Sequence, residues 1–135
     1  FDLSRLNLAG CATLIASHLR SPLAVSPLVE EFEREALKDA ALRSNLDTTE
    51  LRAGVPADLA RWASCAGATQ IATPFIPTGP LRDWMLDAKP ALDEAGITVV
   101  EWRRDWDEAI WPHATAGFYK VKKHIPDILY SIGVT

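Results

Sequence analysis

Apolar residues along the chain follow two alternating rhythms: short unbroken runs, and longer stretches at helical spacing. Residues 69–73 (Thr-Gln-Ile-Ala-Thr) form a β-branched and apolar run that Pro74, Pro77 and Gly79 stop, which predicts a buried strand. Pro80 then stands where a first helical turn tolerates a missing N–H, and Leu81, Trp84, Met85 and Ala88 follow at helical period. Residues 12–17 are a second apolar run, bounded by Gly10 and by His18, Arg20, Ser21 and Pro22, and read as a first strand. A helix over residues 3–19 competes, because Leu8, Ala12, Ile15 and Leu19 also fit a helical period. Residues 3–8 themselves read as a helical turn or an arriving linker.

Ser26 is placed to cap a helix with Pro27 at its first position, running to Leu42. Its stripe Leu28, Val29, Phe32, Ala36 and Leu37 is expected to face the core, with Glu30, Glu31, Glu33, Arg34 and Lys38 in water. Residues 48–53 read as a weak strand. A helix over residues 57–66 follows, with Leu59, Trp62, Ala63 and Ala66 inward and Gly67 as its C-terminal stop. The helix from Pro80 closes at Gly96, and Pro90 is expected to kink or split it. Residues 97–102 (Ile-Thr-Val-Val-Glu-Trp) are a strong strand. The tail carries Trp106, Trp111, Phe118 and Tyr119, a basic run at residues 120–124, and a short apolar helix near residues 125–132.

Strands alternating with helices through short connections imply a parallel sheet with right-handed crossovers and helices on both faces. The fold expected is therefore α/β, a Rossmann-like three-layer sandwich whose four parallel strands lie in the order 2-1-3-4. In such a sheet the switch point falls between the first and third strands, and ligands gather at the carboxyl ends there. The loop after the first strand, with His18 and Arg20, would face the loop Pro74, Phe75, Thr78 and Gly79 across one crevice. Arg82 and the amino end of the helix beginning at Pro80 would favour an anion, Thr78 could cap that helix, and Phe75 would supply an aromatic wall.

Composition narrows the classes of function. The 135 residues suit one domain, and a net charge of −4 lacks the basic face usual in a free-standing nucleic-acid binder. No apolar run approaches a membrane span and no signal peptide opens the chain, so a cytoplasmic protein is expected. The chain begins at Phe1, which suggests a piece of something longer. Cys11 and Cys65 lie far apart without C-x-x-C spacing, so buried reduced thiols are expected rather than a disulfide framework or a metal site. His18, His113 and His124 show no metal spacing. Asp105, Asp107 and Glu108 read as a charged turn rather than an acid–base pair, and Lys120, Lys122, Lys123 and His124 as a solvated basic face. The loop 74–79 lacks a G-x-G-x-x-G pattern and a Walker lysine. Trp62, Trp84 and Trp102 are expected to serve the core.

The strand ending in His18-Leu19-Arg20, the strand at residues 48–53 entering a helix, Gly67-Ala68-Thr69 opening the next strand, Ala95-Gly96-Ile97 opening the last, and Ile110-Trp111-Pro112 followed by Phe118-Tyr119-Lys120-Val121 together resemble the α/β domain of the DNA photolyase and cryptochrome family. The resemblance covers roughly residues 12–130. It departs from the family between His18 and Thr48, where a strand and a helix have no counterpart, and at His18, where an aspartate would be expected. It implies a parent flavoprotein, a lyase that repairs pyrimidine dimers in light or a blue-light sensor, with FAD and damaged DNA bound by a separate helical domain. It also implies a folate or deazaflavin antenna chromophore as a possible ligand of the α/β domain. This chain alone would then hold no cofactor, catalytic residue or metal, and its partner would be that helical domain. Two other classes stay open: a free-standing, stress-protein-like nucleotide-binding module, and an interaction scaffold without a ligand.

Overall fold

Among the described residues four strands form, three close to the apolar runs and one at the weak strand expected over residues 48–53: β1 (Cys11–Ile15), β2 (Thr48–Arg52), β3 (Gln70–Pro74) and β4 (Thr98–Trp102). Between them lie α1 (Pro27–Ser44), α2 (Ala57–Cys65) and α3 (Pro80–Glu94), and after them α4 (Asp105–Ile110), α5 (Gly117–Lys122) and α6 (Ile125–Ser131). The computed structural model describes residues 7–133, and the chain divides into two compact units with the boundary after Val100. Because β1 is extended, the competing helix over residues 3–19 is not formed. Residues 3–6 of the expected opening turn lie outside the described residues, and residues 7–10 belong to no helix or strand.

The ends of the elements follow local chemistry. Ser26 accepts the Leu28 amide at 3.4 Å with Pro27 at the first helical position, and Asn45 ends α1 in the left-handed region at φ 54°. Gly67 (φ 69°) and Gly96 (φ 70°) close α2 and α3 by the same device. In each case the amide after the glycine reaches back five residues, Ala68 to the Ala63 carbonyl and Ile97 to the Leu92 carbonyl, both at 2.9 Å. The exits leave β3 and β4 starting in the same way. Pro90 lies inside α3 without splitting it. It and Leu86, whose carbonyl loses its amide donor, are both exposed, so water can replace the missing bond.

The core of the unit up to Val100 is built largely of small residues. Ala63 of α2 and Ala88 of α3 are completely buried, with Leu59, Ala60, Trp84 and Leu92 around them, and Ala16, Ala53, Leu14 and Leu51 close the sheet side. Alanines at both contact points let the two helices approach closely, and Trp84 fills the space that they leave. Of the other tryptophans expected inside, Trp62 is half-buried and Trp102 is exposed.

The sheet differs from the one expected. β1 and β2 pair in parallel, in the register Cys11 to Thr48 through Ile15 to Arg52, and β3 pairs with β4 in a second two-stranded parallel sheet. The neighbours 2-1 and 3-4 are thus present, but the ladder from β1 to β3 that would give one four-stranded sheet in the order 2-1-3-4 is not. The burial of the strands gives the reason. A central strand of a doubly covered parallel sheet is apolar on both faces, whereas β3 and β4 alternate exposed with half-buried residues, and Gln70, Ala72, Thr98, Val100 and Trp102 are open to solvent. Helices cover both faces only around β1 and β2. There α2 and α3 take the face of Leu14 and Leu51, and α1 takes the face of Thr13, Glu50 and Arg52.

Ala63 leaves no room for a larger side chain. We expect Ala63→Leu to destabilise the protein by about 1–3 kcal/mol, the usual cost of overpacking, with a lower urea midpoint at an unchanged slope.

Candidate functional site

The carboxyl end of β1 is where the sequence places the ligand crevice, and the structure fills its hydrogen-bonding groups from within the chain. Beyond Ile15 the amides of Ala16 and Ser17 leave the ladder. Glu33, from the second turn of α1, accepts both, each at 3.0 Å. Partial burial of Glu33 works against its ionisation. The neighbouring Ser17 hydroxyl, the two amide bonds and the charge of Arg20 outweigh that and hold its carboxyl below the ordinary range. The Ser17 hydroxyl adjoins this carboxylate, is buried, and makes no well-formed hydrogen bond of its own.

The end of β2 is closed by side chains in the same way. His18 Nε2 lies 2.8 Å from the Ala53 carbonyl, and since a carbonyl only accepts, Nε2 carries the proton. Nδ1 of that ring is buried and has no hydrogen-bond partner among the described residues. Trp84 donates its indole N–H to the Gly54 carbonyl at 2.8 Å, tying α3 to the strand end.

The second half of the expected crevice is also self-engaged. Arg82 donates to the Ile76 carbonyl and its guanidinium lies 5.5 Å from the centre of the Phe75 ring. The residue chosen to assist an anion therefore holds its own loop, and Phe75, chosen as an aromatic wall, is part of that clamp. Ile76 is buried while Pro74 and Thr78 are exposed. Gly79, not Thr78, is the capping residue of α3, and no side chain caps it. Sequence reasoning paired the loop with His18 and Arg20 through a β1–β3 switch point. With β1 and β3 in separate sheets, that switch point is absent.

A feature that periodicity misassigned lies on α1. At about 100° per residue, Glu30, Glu33, Arg34, Leu37 and Ala41 share one side, and these are its half-buried residues. Of the five apolar residues expected to face the core, only Leu37 is on that side. Leu28 is 80% exposed, Phe32 76% and Leu42 73%. The sheet face beneath it is mixed: Ile15, 1% exposed, shares it with Thr13, Glu50 and Arg52, and there Arg52 pairs with Glu30 at 2.8 Å and Arg34 with Glu50 at 3.2 Å. Such exposed pairs contribute up to about 1 kcal/mol each; the Glu33 bonds to buried backbone amides are the stronger constraint.

The outward side is thus apolar at Leu28, Phe32, Ala36 and Leu42, with Glu35 and Asp39 set among them and Glu31 on the flank. These three carboxylates are 58%, 63% and 62% exposed and, among the described residues, pair with cations of the same helix, Lys38, Arg43 and Arg34. Near the carboxyl end of α1, a polar cleft of about 560 Å³ is lined by Thr13, Asn45 and Thr48 and by Arg34 and Lys38, whose charges are already paired.

The unit from Glu101 holds three short helices. Asp105, Asp107 and Glu108 lie in the first turn of α4 instead of a turn, and Arg104 holds Asp107 through bonds of 2.7 and 2.8 Å. His113 and His124 stack with ring centres 3.8 Å apart, a meeting that their separation in sequence conceals. Among the described residues, no group of three His, Cys, Asp or Glu side chains could hold a metal. Phe118 (63%) and Tyr119 (80%) are exposed beside the exposed Lys120, Lys122 and Lys123. No described helix is long and apolar enough to cross a membrane.

No protein-family model matches the chain, and neither a curated protein nor a solved structure matches it.

The Glu33 bridge has a signature in pH. Its carboxyl titrates lower in the folded than in the unfolded chain, so the unfolded state binds more protons on acidification. The stability that it contributes is complete above its ordinary value of 4.5 and is lost as pH falls through the lowered one. We expect Glu33→Gln to cost about 1–3 kcal/mol at neutral pH and to flatten the acid limb of a plot of urea midpoint against pH.

Proposed function

We propose that this chain is a non-catalytic interaction domain that docks a protein segment on the outward side of α1. One observation carries the reading: α1 holds Glu30, Glu33 and Arg34 against the sheet and turns Leu28, Phe32 and Leu42 to solvent, with Glu35, Asp39 and Arg43 interspersed among them. Large apolar residues in a contiguous exposed row mark association surfaces more often than single exposed ones do. Glu31, Glu35 and Asp39 outnumber the exposed Lys38 and Arg43 with which that side also meets solvent, and so add a weak preference of sign. A segment that buries its own apolar side chains against Leu28, Phe32 and Leu42 and brings lysines or arginines to those carboxylates matches the surface in both respects, in the helix-in-groove manner.

A small-molecule role at the carboxyl ends of β1 and β2 is supported less well, because Glu33, His18, Trp84 and Arg82 direct their polar groups to the chain's own backbone. The photolyase-type parentage, with its FAD-bearing helical domain, lesion-containing DNA and antenna chromophore, rests on the order and spacing of motifs and gains no support from the comparisons. With two unpaired thiols in the chain, a reducing, cytoplasmic setting accords with the interaction reading.

Titration with two synthetic amphipathic helices, one lysine-rich and one glutamate-rich, while following the amide resonances of α1, tests the proposal. We expect the lysine-rich peptide to shift resonances along residues 28–42, and Phe32→Ser to weaken it by about tenfold, the loss of one aromatic anchor. No shift with either peptide, or binding indifferent to Phe32, defeats the reading.

A further inference from the structure

We propose that α5 docks on the anionic surface of a lipid bilayer, with Phe118 and Tyr119 entering the headgroup layer and Lys120, Lys122 and Lys123 meeting the acidic lipid headgroups. Residues 117–124 read Gly-Phe-Tyr-Lys-Val-Lys-Lys-His, with three lysines and no carboxylate. Every arginine and lysine of α1, β2, α2 and α3 meets a carboxylate or an aromatic ring, and so do Arg103 and Arg104 ahead of the body of α4. Arg20 lies in the field of Glu33. Among the described residues, the three lysines of α5 have no such partner. Three unpaired cations on one short helix, in a chain of net charge −4, are a local exception that an external anion satisfies. The patch is on a different helix from the docking side of α1 and works without it.

The aromatic pair gives the anion its class. At about 100° per residue, the half-buried Val121 marks the inward side of α5. Tyr119 and Lys123 lie opposite it, with Phe118, Lys122 and Lys120 on their flanks, and all five are exposed. Phe118 and Tyr119 meet edge to face with ring centres 6.0 Å apart, so they project as one apolar unit instead of offering two open faces for bases to stack on. The six residues of α5 rise about 9 Å, a short track for a nucleic-acid strand, whose binding grooves span several nucleotides. A planar, fluid anionic surface asks for neither a groove nor a register. Aromatic rings enter its interfacial layer, and lysine stems lie along it with their ammonium groups at the headgroups. Three lysines and two rings are a small anchor, so attachment is weak, reversible and lost in high salt.

Co-sedimentation of the whole chain with vesicles tests this, using pure phosphatidylcholine and the same lipid with about one-third phosphatidylserine. The protein should pellet with the mixed vesicles and not with the neutral ones, and added salt should release it. Lys122→Gln with Lys123→Gln should weaken binding about thirtyfold, roughly the worth of two lysines near such a surface. Phe118→Ser should weaken it about tenfold at unchanged charge, through the loss of one partly buried ring. Arg61→Gln with Lys89→Gln removes as much charge from cations that are already paired, and should bind as the wild type does. All the substituted residues are exposed, and circular dichroism should show each variant to be folded. Wild-type protein that ignores the mixed vesicles or binds the neutral ones equally overturns the proposal, as does an equal loss of binding in the two double variants. A single-stranded oligonucleotide or a glutamate-rich peptide bound through Lys122 and Lys123 in place of the mixed vesicles overturns it too, and assigns the patch to that partner.

Discussion

The bridge from Glu33 to the amides of Ala16 and Ser17 is the interaction on which the arrangement of the first unit depends. It uses one carboxylate to satisfy two backbone donors where β1 leaves its ladder, and it fixes which side of α1 meets the sheet. Exposed ion pairs flank it on both sides, Glu30 with Arg52 and Arg34 with Glu50, and they follow the same orientation without being strong enough to impose it. Once Glu33 is anchored, Leu28 and Phe32 have nowhere to point but away from the protein. The exposed apolar row is thus a consequence of polar satisfaction at the strand end.

The opposite face of the same sheet is held by different physics. There Ala63 and Ala88 set how closely α2 and α3 approach, and Trp84 joins the helix layer to the strand end through both its ring and its N–H. The pair β1–β2 consequently sits between a layer bonded mainly by charge and hydrogen bonds and a layer bonded mainly by shape. The strands β3 and β4, each covered on one side only, form their own short ladder.

Much of this was legible from residue order. Ser26 and Pro27 mark the start of α1, Gly67 and Gly96 mark the ends of α2 and α3, and the three apolar runs and the weaker one at residues 48–53 become strands, because each of these signals is local. The azimuth of α1 was not legible, since periodicity assumes that the surface under a helix is apolar throughout; here Thr13, Glu50 and Arg52 stand beside Ile15 on that surface, the Glu33 bridge decides which side meets it, and the 3.6 period then picks the wrong side. The joining of β1 to β3 was not legible either. A strand's apolar run says that it is extended, and only the burial of both its faces says that it is central. At the expected crevice the residue types suited a ligand, but Arg82 is spent on the Ile76 carbonyl and His18 on the Ala53 carbonyl, partners that no motif announces. The stacking of His113 on His124 likewise has no counterpart in spacing.

The Glu33 bridge also bears on the order in which the chain assembles. It joins residues 17 apart in sequence, whereas the first rung of the β1–β2 ladder joins Cys11 to Thr48, a separation of 48 − 11 = 37 residues. Closing the longer loop costs roughly 0.7 kcal/mol more in chain entropy, by the logarithmic dependence on loop length. It also leaves no helix in place to carry the crossover. The shorter closure favours seating α1 on β1 before β2 pairs, so that the ladder zips along an edge that α1 flanks. On that order the helix acquires its outward side before the sheet beneath it is complete.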